Sequence, residues 1–395
     1  MTRPVILCLA SYHKGHRFIK RCRLEGCRVF LLTTTSLLQE PWPREHLEDV
    51  FALPSFTDRR GLLNAVSYLS RTRKFDRIVA LDDFDVESAA ALREHFRMTG
   101  MNESQARLFR DKLAMRTRAR ELGITVPEFT GLFQVDSIKE FLSKVPPPWL
   151  LKPRSEASAA GIRKLMHPQE VWREIDRLGD RQSFHLLERF VAGDLYHVDS
   201  LVQDGTVIFA EVNGYVRPLL DVYQQGGIYA TRTVPLDRPE VAELASANER
   251  VLTGFGLQRG ASHTEFLRSK DDGKIYFVET SARVGGSNTA EMVEGATGVN
   301  LWEEWAALEI RSDYKLPETF RRYGGVVVSL ARQDWPDSSP FTDPEIVYRM
   351  NMKQHIGLVL ASDSPQRIEH LLADYTRRIA KDYLAVLPPA DKVSH

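Results

Sequence analysis

Wholly apolar runs alternate with amphipathic stretches over the first hundred residues. Residues 5–10 are a continuous apolar run, followed by a polar turn at 11–16 and a helical stretch that Gly26 stops. Residues 28–33 read as the next strand. Residues 61–71 read as a helix, with Leu62, Leu63, Val66 and Leu69 on one face. Residues 77–81 form another buried strand ending in Asp82, Asp83 and Asp85, and 86–97 a further helix. This alternation predicts a parallel, doubly wound sheet. Ligands of such sheets sit beyond the carboxyl ends of the strands, where segments 11–16 and 82–87 lie.

The pattern then changes. Residues 111–122 make an amphipathic helix that Gly123 stops, Pro127 opens an extended segment, and 137–144 is another helix. After Pro146-Pro147-Pro148 and a strand at 149–152 the signal is mostly strand: 186–191, 196–202 and 207–212, the last two joined by Asp204-Gly205. Residues 242–254 read as a helix. Strands at 263–267 and 275–279 flank a second hairpin turn, 270–274. Helix 300–310, strands 326–331 and 357–361 and helix 364–383 complete the chain. The whole reads as α/β followed by α+β.

At 395 residues, two or three domains are expected. Lys plus Arg and Asp plus Glu are both 53, so the net charge is zero. That argues against nucleic acid as the main partner, since such binding runs on excess basic charge. No apolar run is long enough to span a bilayer, so no membrane partner is expected, and 5–10 reads as a buried strand rather than a leader. Cys8, Cys22 and Cys27 are an odd number without a Cys-x-x-Cys pair, which points to a reducing cytoplasm.

Candidate chemistry clusters in the hairpin at 263–286. Glu265 and Glu279 lie fourteen residues apart across a tight turn, so antiparallel pairing can set them side by side. Converging carboxylates repel unless a positive charge sits between them. Mg²⁺ suits that place, taking one or two carboxylates with phosphate oxygens and water. Arg283 follows beside Gly285-Gly286 and can meet a phosphate or a carboxylate. Lys152 ends an apolar strand before a small-residue loop, Ser155 to Gly161, which could fold over a phosphate. Lys112 opens a helix, where the macrodipole disfavours a cation unless an anion is near. Residues 186–191 could present backbone groups to an adenine edge, with Leu187, Phe190 and Val191 around the ring. Each feature has an ordinary alternative: a solvated hairpin, a turn, an exposed helix charge, a core strand. His197 and Asp199 on their strand either face a cleft or are satisfied polar residues. The polar excursion at 213–233, with Arg217, Tyr223 and Gly226-Gly227, is long for a hairpin and reads as a binding loop or a plain surface loop. His13, Lys14 and His16 read first as a solvated turn.

Taken in order, Asp111-Lys112-x-x-Met115-Arg116, Gly123-Ile124-x-Val126-Pro127, Lys152-Pro153 with its loop, Glu188-x-Phe190-Val191-x-Gly193, and Glu265 with Glu279-x-Ser281-x-Arg283-x-Gly285-Gly286 resemble the ATP-grasp superfamily. Within it they are most similar to the carboxylate–amine ligases, relatives of biotin carboxylase and the carbamoyl phosphate synthetase large chain. The resemblance covers roughly residues 1–310. It implies a Rossmann-like pre-ATP-grasp domain over 1–110 and an ATP-grasp small lobe with the phosphate loop over 111–187. A large lobe with the metal site would span 188–318 and a small C-terminal lobe 319–395. It implies ATP and Mg²⁺, or Mn²⁺, as cofactors. Lys112 and Lys152 would contact the nucleotide, and Ser155, Ser158 and Gly161 would cover its phosphates. Glu188, Phe190, Val191 and Asp194 would hold adenosine. Glu265, Glu279 and Ser281 would hold metal, and Arg283 and Lys152 would act on the acyl phosphate. The implied reaction joins a small carboxylate to an amine, amino-acid-like, with ADP and phosphate released. The alternatives are phosphorylation or carboxylation of a small molecule, or a nucleotide sensor without turnover. Ser281 stands where the family usually has Asn, Asp194 falls one residue before the place aligned with the family's ribose acid, and the biotin-carboxylase continuation Gln-Val-Glu-His is absent. The oligomeric state is not readable; a homodimer is compatible with the sequence.

Overall fold

The structure, a computed structural model, describes residues 3–157, 159–218, 222 and 227–385. Its first sheet has four parallel strands in the order Asp49–Leu53, Arg28–Thr34, Val5–Ala10, Arg77–Ala80. Val5–Ala10 is buried along its whole length because both sheet faces are covered. Ile6, Cys8 and Ala10 meet Phe18, Ile19 and Cys22 of helix His16–Leu24. Val5, Leu7 and Leu9 meet helices Arg59–Ser70 and Val86–His95. The first of these cores also takes in Val293, Leu301 and Trp305, so the pre-domain shares a core with the large lobe. All three cysteines are buried and free. The strand Asp49–Leu53 was not expected: it is a half-buried sheet edge with no strong apolar alternation.

A second, antiparallel sheet runs Phe129–Gly131, His185–Arg189, Trp149–Pro153, Arg163–Leu165. Helices Val135–Lys144 and Pro168–Leu178 pack on it through Ile138, Phe141, Val171, Ile175 and Leu178. The second helix corrects the strand-dominated reading of that stretch. Pro168 at its first turn and Glu170, which accepts from the His167 N–H at 3.2 Å, start it.

The third sheet has eight antiparallel strands. Ile275–Ser281, Arg259–Ser269, Gly193–Gln203 and Thr206–Tyr215 form one half. Tyr229–Thr233 continues it to Tyr323–Leu330, His355–Ser362 and Ile346–Arg349. Residues 319–385 therefore extend the large lobe's own sheet. Helix Pro365–Asp382 covers them with Ile368, Leu371, Leu372, Tyr375 and Ile379. Tyr229–Thr233 lies within the excursion at 213–233; Tyr223 and Gly226 fall outside the described residues, and Arg217 is exposed. No helix among the described residues is long and apolar enough to cross a membrane.

Candidate active site

The two hairpin strands put Glu265 directly opposite Glu279, and His263 directly opposite Ser281. Cross-strand partners share a face, so all four side chains point the same way. A bulge follows at once, because Phe266 pairs with Phe277 and leaves Val278 over. The free Val278 carbonyl accepts from Arg116 Nη1. The face opens on a cavity of about 720 Å³ whose walls include Lys112, Lys152, Glu188, Glu265, Glu279 and Arg283.

Asp111 caps helix Lys112–Glu121 by accepting from the Leu113 N–H at 2.9 Å. The cap fixes where Lys112 emerges. Its Nζ lies 2.6 Å from Glu279 Oε2 and donates to the Glu156 carbonyl at 2.5 Å, linking the phosphate loop to the carboxylate face. Four residues on, the buried Arg116 meets Glu188 at 3.0 Å, and Lys152 closes on the other oxygen of the same carboxylate. Burial alone would push Glu188 up; Arg116 and Lys152 outweigh it and hold the carboxyl at about 2. The Glu188 carboxylate is thus committed to two cations.

Arg283 reaches across to the pre-domain, where Nε and Nη2 donate to Asp83 Oδ2 at 2.8 and 2.5 Å. Burial opposes ionisation of Asp83, but Arg283 and Arg110 dominate and hold it well below the usual carboxylate range. Asp83 therefore ties the carboxyl end of a pre-domain strand to the carboxylate face.

Around Glu265 this face of the sheet is polar. Tyr215 donates to Glu265 Oε1 at 2.7 Å, and His263 Nε2 stands 3.7 Å from the same oxygen. Asp199 bridges two imidazoles, His263 Nδ1 at 2.8 Å and His197 Nδ1 at 2.6 Å. Burial lowers the basicity of His263, but Asp199 overrides it and raises the imidazole to about 9. Gly285 must lack a side chain here: a Cβ would sit 2.8 Å from Asp199 Oδ1 and 2.9 Å from His263 Nδ1.

The adenosine-side residues separate. Phe190 and Val191 line the cavity, and Lys164 Nζ lies 3.8 Å over the Phe190 ring. Gly193 is required because a Cβ would meet the Arg268 carbonyl at 2.2 Å. Asp194 is 64% exposed and paired with Lys270 at 3.2 Å; strand alternation turns Leu195 to the cavity in its place. Of the small-residue loop, Glu156, Ala157 and Ala159 line the cavity, with Ile162 just beyond it. Ser155 accepts from Arg110 through its carbonyl, and Gly161 adopts φ +70° beside Pro153. Ser158 lies outside the described residues. His197 and Asp199 are fully buried and satisfy each other. His13 and His16 pair with each other beside Trp42.

The sequence reading did not single out Tyr215, Tyr229, Asp83 or the wall built by Val328, Ser329, Leu330 and His355. For Asp83 a signal existed, its place at a strand's carboxyl end. Tyr215 and Tyr229 lie within the 213–233 excursion, read as a binding or surface loop; for the wall of Val328, Ser329, Leu330 and His355 there was no signal, because it arrives from distant strands.

Two hard oxygen donors converging on one face, with Ser281 beside them, fit a divalent cation such as Mg²⁺.

No family model matches the sequence. The chain is 23% identical over 355 residues to an L-arginine-specific L-amino acid ligase of Bacillus subtilis, covering 82% of this chain and 84% of that protein. It is 25% identical over 217 residues to a D-alanine–D-alanine ligase of Prosthecochloris aestuarii, covering 51% of this chain and 60% of that protein. In structure it is similar to an L-amino acid ligase from Bacillus licheniformis, with a TM-score of 0.77 at 16% identity over 98% of this chain and 99% of that one. It is also similar to an N5-carboxyaminoimidazole synthetase from Staphylococcus aureus complexed with ADP, with a TM-score of 0.74 at 14% identity over 94% and 96%. The three sheets and these likenesses show an ATP-grasp fold, and the sequence is similar to those of amino acid ligases.

Proposed function

We propose that this chain activates the carboxylate of one amino-acid-like substrate as an acyl phosphate and joins it to the amine of another, releasing ADP and phosphate. One observation carries the reading. Glu265 and Glu279 face each other on one wall of the cavity that also holds Lys112, Lys152 and Arg283.

A carboxylate is a poor electrophile, and a mixed anhydride with phosphate makes its carbonyl open to attack. The protein's part is then positioning and charge neutralisation. Lys112 and Lys152 offset phosphate charge, and the loop at 155–161 closes over it. Phe190 and Val191 enclose the base. Glu188 fixes Lys152 and Arg116 rather than offering a free oxygen. Asp83 presets Arg283, so its guanidinium meets the substrate carboxylate and the developing oxyanion already oriented. Glu265, Glu279 and Ser281 would hold Mg²⁺, or Mn²⁺ in its place. Such a cation, when bound, neutralises charge on the phosphates. We place the reaction in the cytoplasm, where the buried thiols stay reduced; light scattering would tell a monomer from a homodimer.

Incubation with Mg–ATP and pooled L-amino acids, following nucleotide and product masses together, tests the reading. ADP, phosphate and a dipeptide mass are expected. AMP with pyrophosphate, or a phosphorylated or carboxylated product without condensation, would overturn it.

A further inference from the structure

A second cavity, of about 530 Å³, lies between the pre-domain and the large lobe, behind the catalytic strand. One wall is the free edge of strand Arg77–Ala80, the outermost of the first sheet. The opposite wall comes from the 256–260 turn and from Trp305 and Glu309. Three arginines line it, Arg77, Arg93 and Arg259, with one acid, Glu309.

These charges do not cancel locally. Arg259 is spent on Asp204 at 2.7 Å, and Glu309 accepts from Trp305 Nε1 at 3.0 Å. Arg93 is held only by neutral acceptors: Nε donates to the Met101 carbonyl at 3.0 Å and Nη1 to the Ile78 carbonyl at 2.7 Å. Arg77 bonds the Asp76 carbonyl. Neither has a carboxylate partner among the described residues. Two carbonyls thus fix the Arg93 fork in place while its Nη2 remains unspent. Arg93 is part-buried without an acid on its fork, and this burial pushes it down to about 10, with Glu309 opposing only in part. Apolar surface from Met101, Leu257 and Trp305 lies beside it.

The cavity backs onto the active site. Ala282 lines it, while the residues on either side, Ser281 and Arg283, line the nucleotide cavity.

We propose that this cavity is a second ligand site, taking a small organic anion whose carboxylate or phosphate is met by Arg93 and Arg77 and whose apolar body lies on Trp305. Occupancy there alters nucleotide binding through Ala282. A planar, pre-oriented fork suits either oxyanion.

The test uses the full chain saturated with Mg–ADP, so that the nucleotide cleft is filled. N-acetyl-L-phenylalanine and phenyl phosphate are titrated in separate arms, which tell a carboxylate ligand from a phosphate one. Binding is followed by tryptophan emission and calorimetry. Saturable binding of at least one probe is expected, weakened about ten- to hundredfold in Arg93→Gln with Mg–ADP affinity kept. Trp305→Phe should remove the emission change and leave calorimetric binding. If Arg93→Gln does not fold, Arg77→Gln serves, with a loss of several-fold expected. Equal affinity in the arginine variants, binding only when ADP is absent, or no saturable binding of either probe overturns the site. A shift of twofold or more in Mg–ADP affinity on saturation supports the coupling to the active site, and an unchanged affinity overturns that coupling.

Discussion

Glu188 and Asp85 are both buried carboxyl groups close to strand ends, and they titrate in opposite directions. Glu188 sits between Arg116 and Lys152 and is held at about 2. Asp85 accepts from the Ser11 N–H at 2.8 Å, and its other oxygen has no hydrogen-bond partner. Burial, reinforced by Asp82, raises it to about 7. Burial depth is the same; what differs is whether a cation was buried with the acid. Glu265 and Glu279 differ from both, with Lys112 on Glu279 and the Tyr215 hydroxyl and the His263 imidazole on Glu265. An acid saturated by internal cations serves architecture, whereas an incompletely neutralised pair on a cavity wall can take up an external cation.

Removing the charge from the saturated acid should have the largest effect. Glu188→Gln strands two buried cations and is expected to cost about 3–5 kcal/mol of stability, read as a lower denaturant midpoint. A midpoint within error of the parent would mean that Arg116 and Lys152 find other partners.

Glu279→Gln breaks the comparison from the other side. The fold should survive, since Glu279 is part-exposed at the cavity wall, while metal-dependent ADP release falls on the order of 10²–10³-fold. Retained turnover would remove Glu279 from the metal site.

Asp199→Asn sharpens the case of Glu265. Asp199 touches neither nucleotide nor metal ligand directly and acts through His263 on Glu265. Residues that orient a ligating carboxylate typically contribute about 10–100-fold to metal affinity. Direct Mn²⁺ binding measured by electron paramagnetic resonance should weaken by that factor while circular dichroism is unchanged. Equal Mn²⁺ affinity would confine Asp199 to packing.

The smallest effect concerns Asp85 and pH. Its folded pKa of about 7 exceeds the ordinary carboxyl value, so the folded chain keeps a proton that the unfolded chain releases. Stability therefore falls as pH rises from about 4 to about 7 and levels off above. Full linkage would amount to about 4 kcal/mol; with relaxation of the site we expect about 1–2 kcal/mol. Asp85→Asn should flatten that part of the stability profile. An identical slope in the variant would assign the pH dependence elsewhere.

How far the sequence could be read follows from the range of the interactions involved. Helix Lys112–Glu121 and the hairpin pairing of Glu265 with Glu279 depend on neighbours within a few residues or one tight turn, and both were legible; Asp111 was read as part of the helix, where the structure makes it the cap. Helix Thr289–Thr297 was missed because its start, Asn288, takes a left-handed conformation with no capping bond, so the local signal is weak. The continuation of the sheet into residues 323–362 was missed for another reason. It runs through Tyr229–Thr233, a strand inside a polar stretch whose pairing with Tyr323–Leu330 spans about ninety residues.

By itself the chain's pattern determined which segments are strands and helices over most of its length, the order of the motifs, and which acids could meet across a hairpin. These are local preferences of backbone and side chain. Only the tertiary structure decided that Glu188 is neutralised while Asp85 is not, that Asp83 holds Arg283 from another domain, and that Tyr215 reaches Glu265. Charge compensation in a low-dielectric interior depends on which distant groups are buried together, and spacing along the chain carries no record of that.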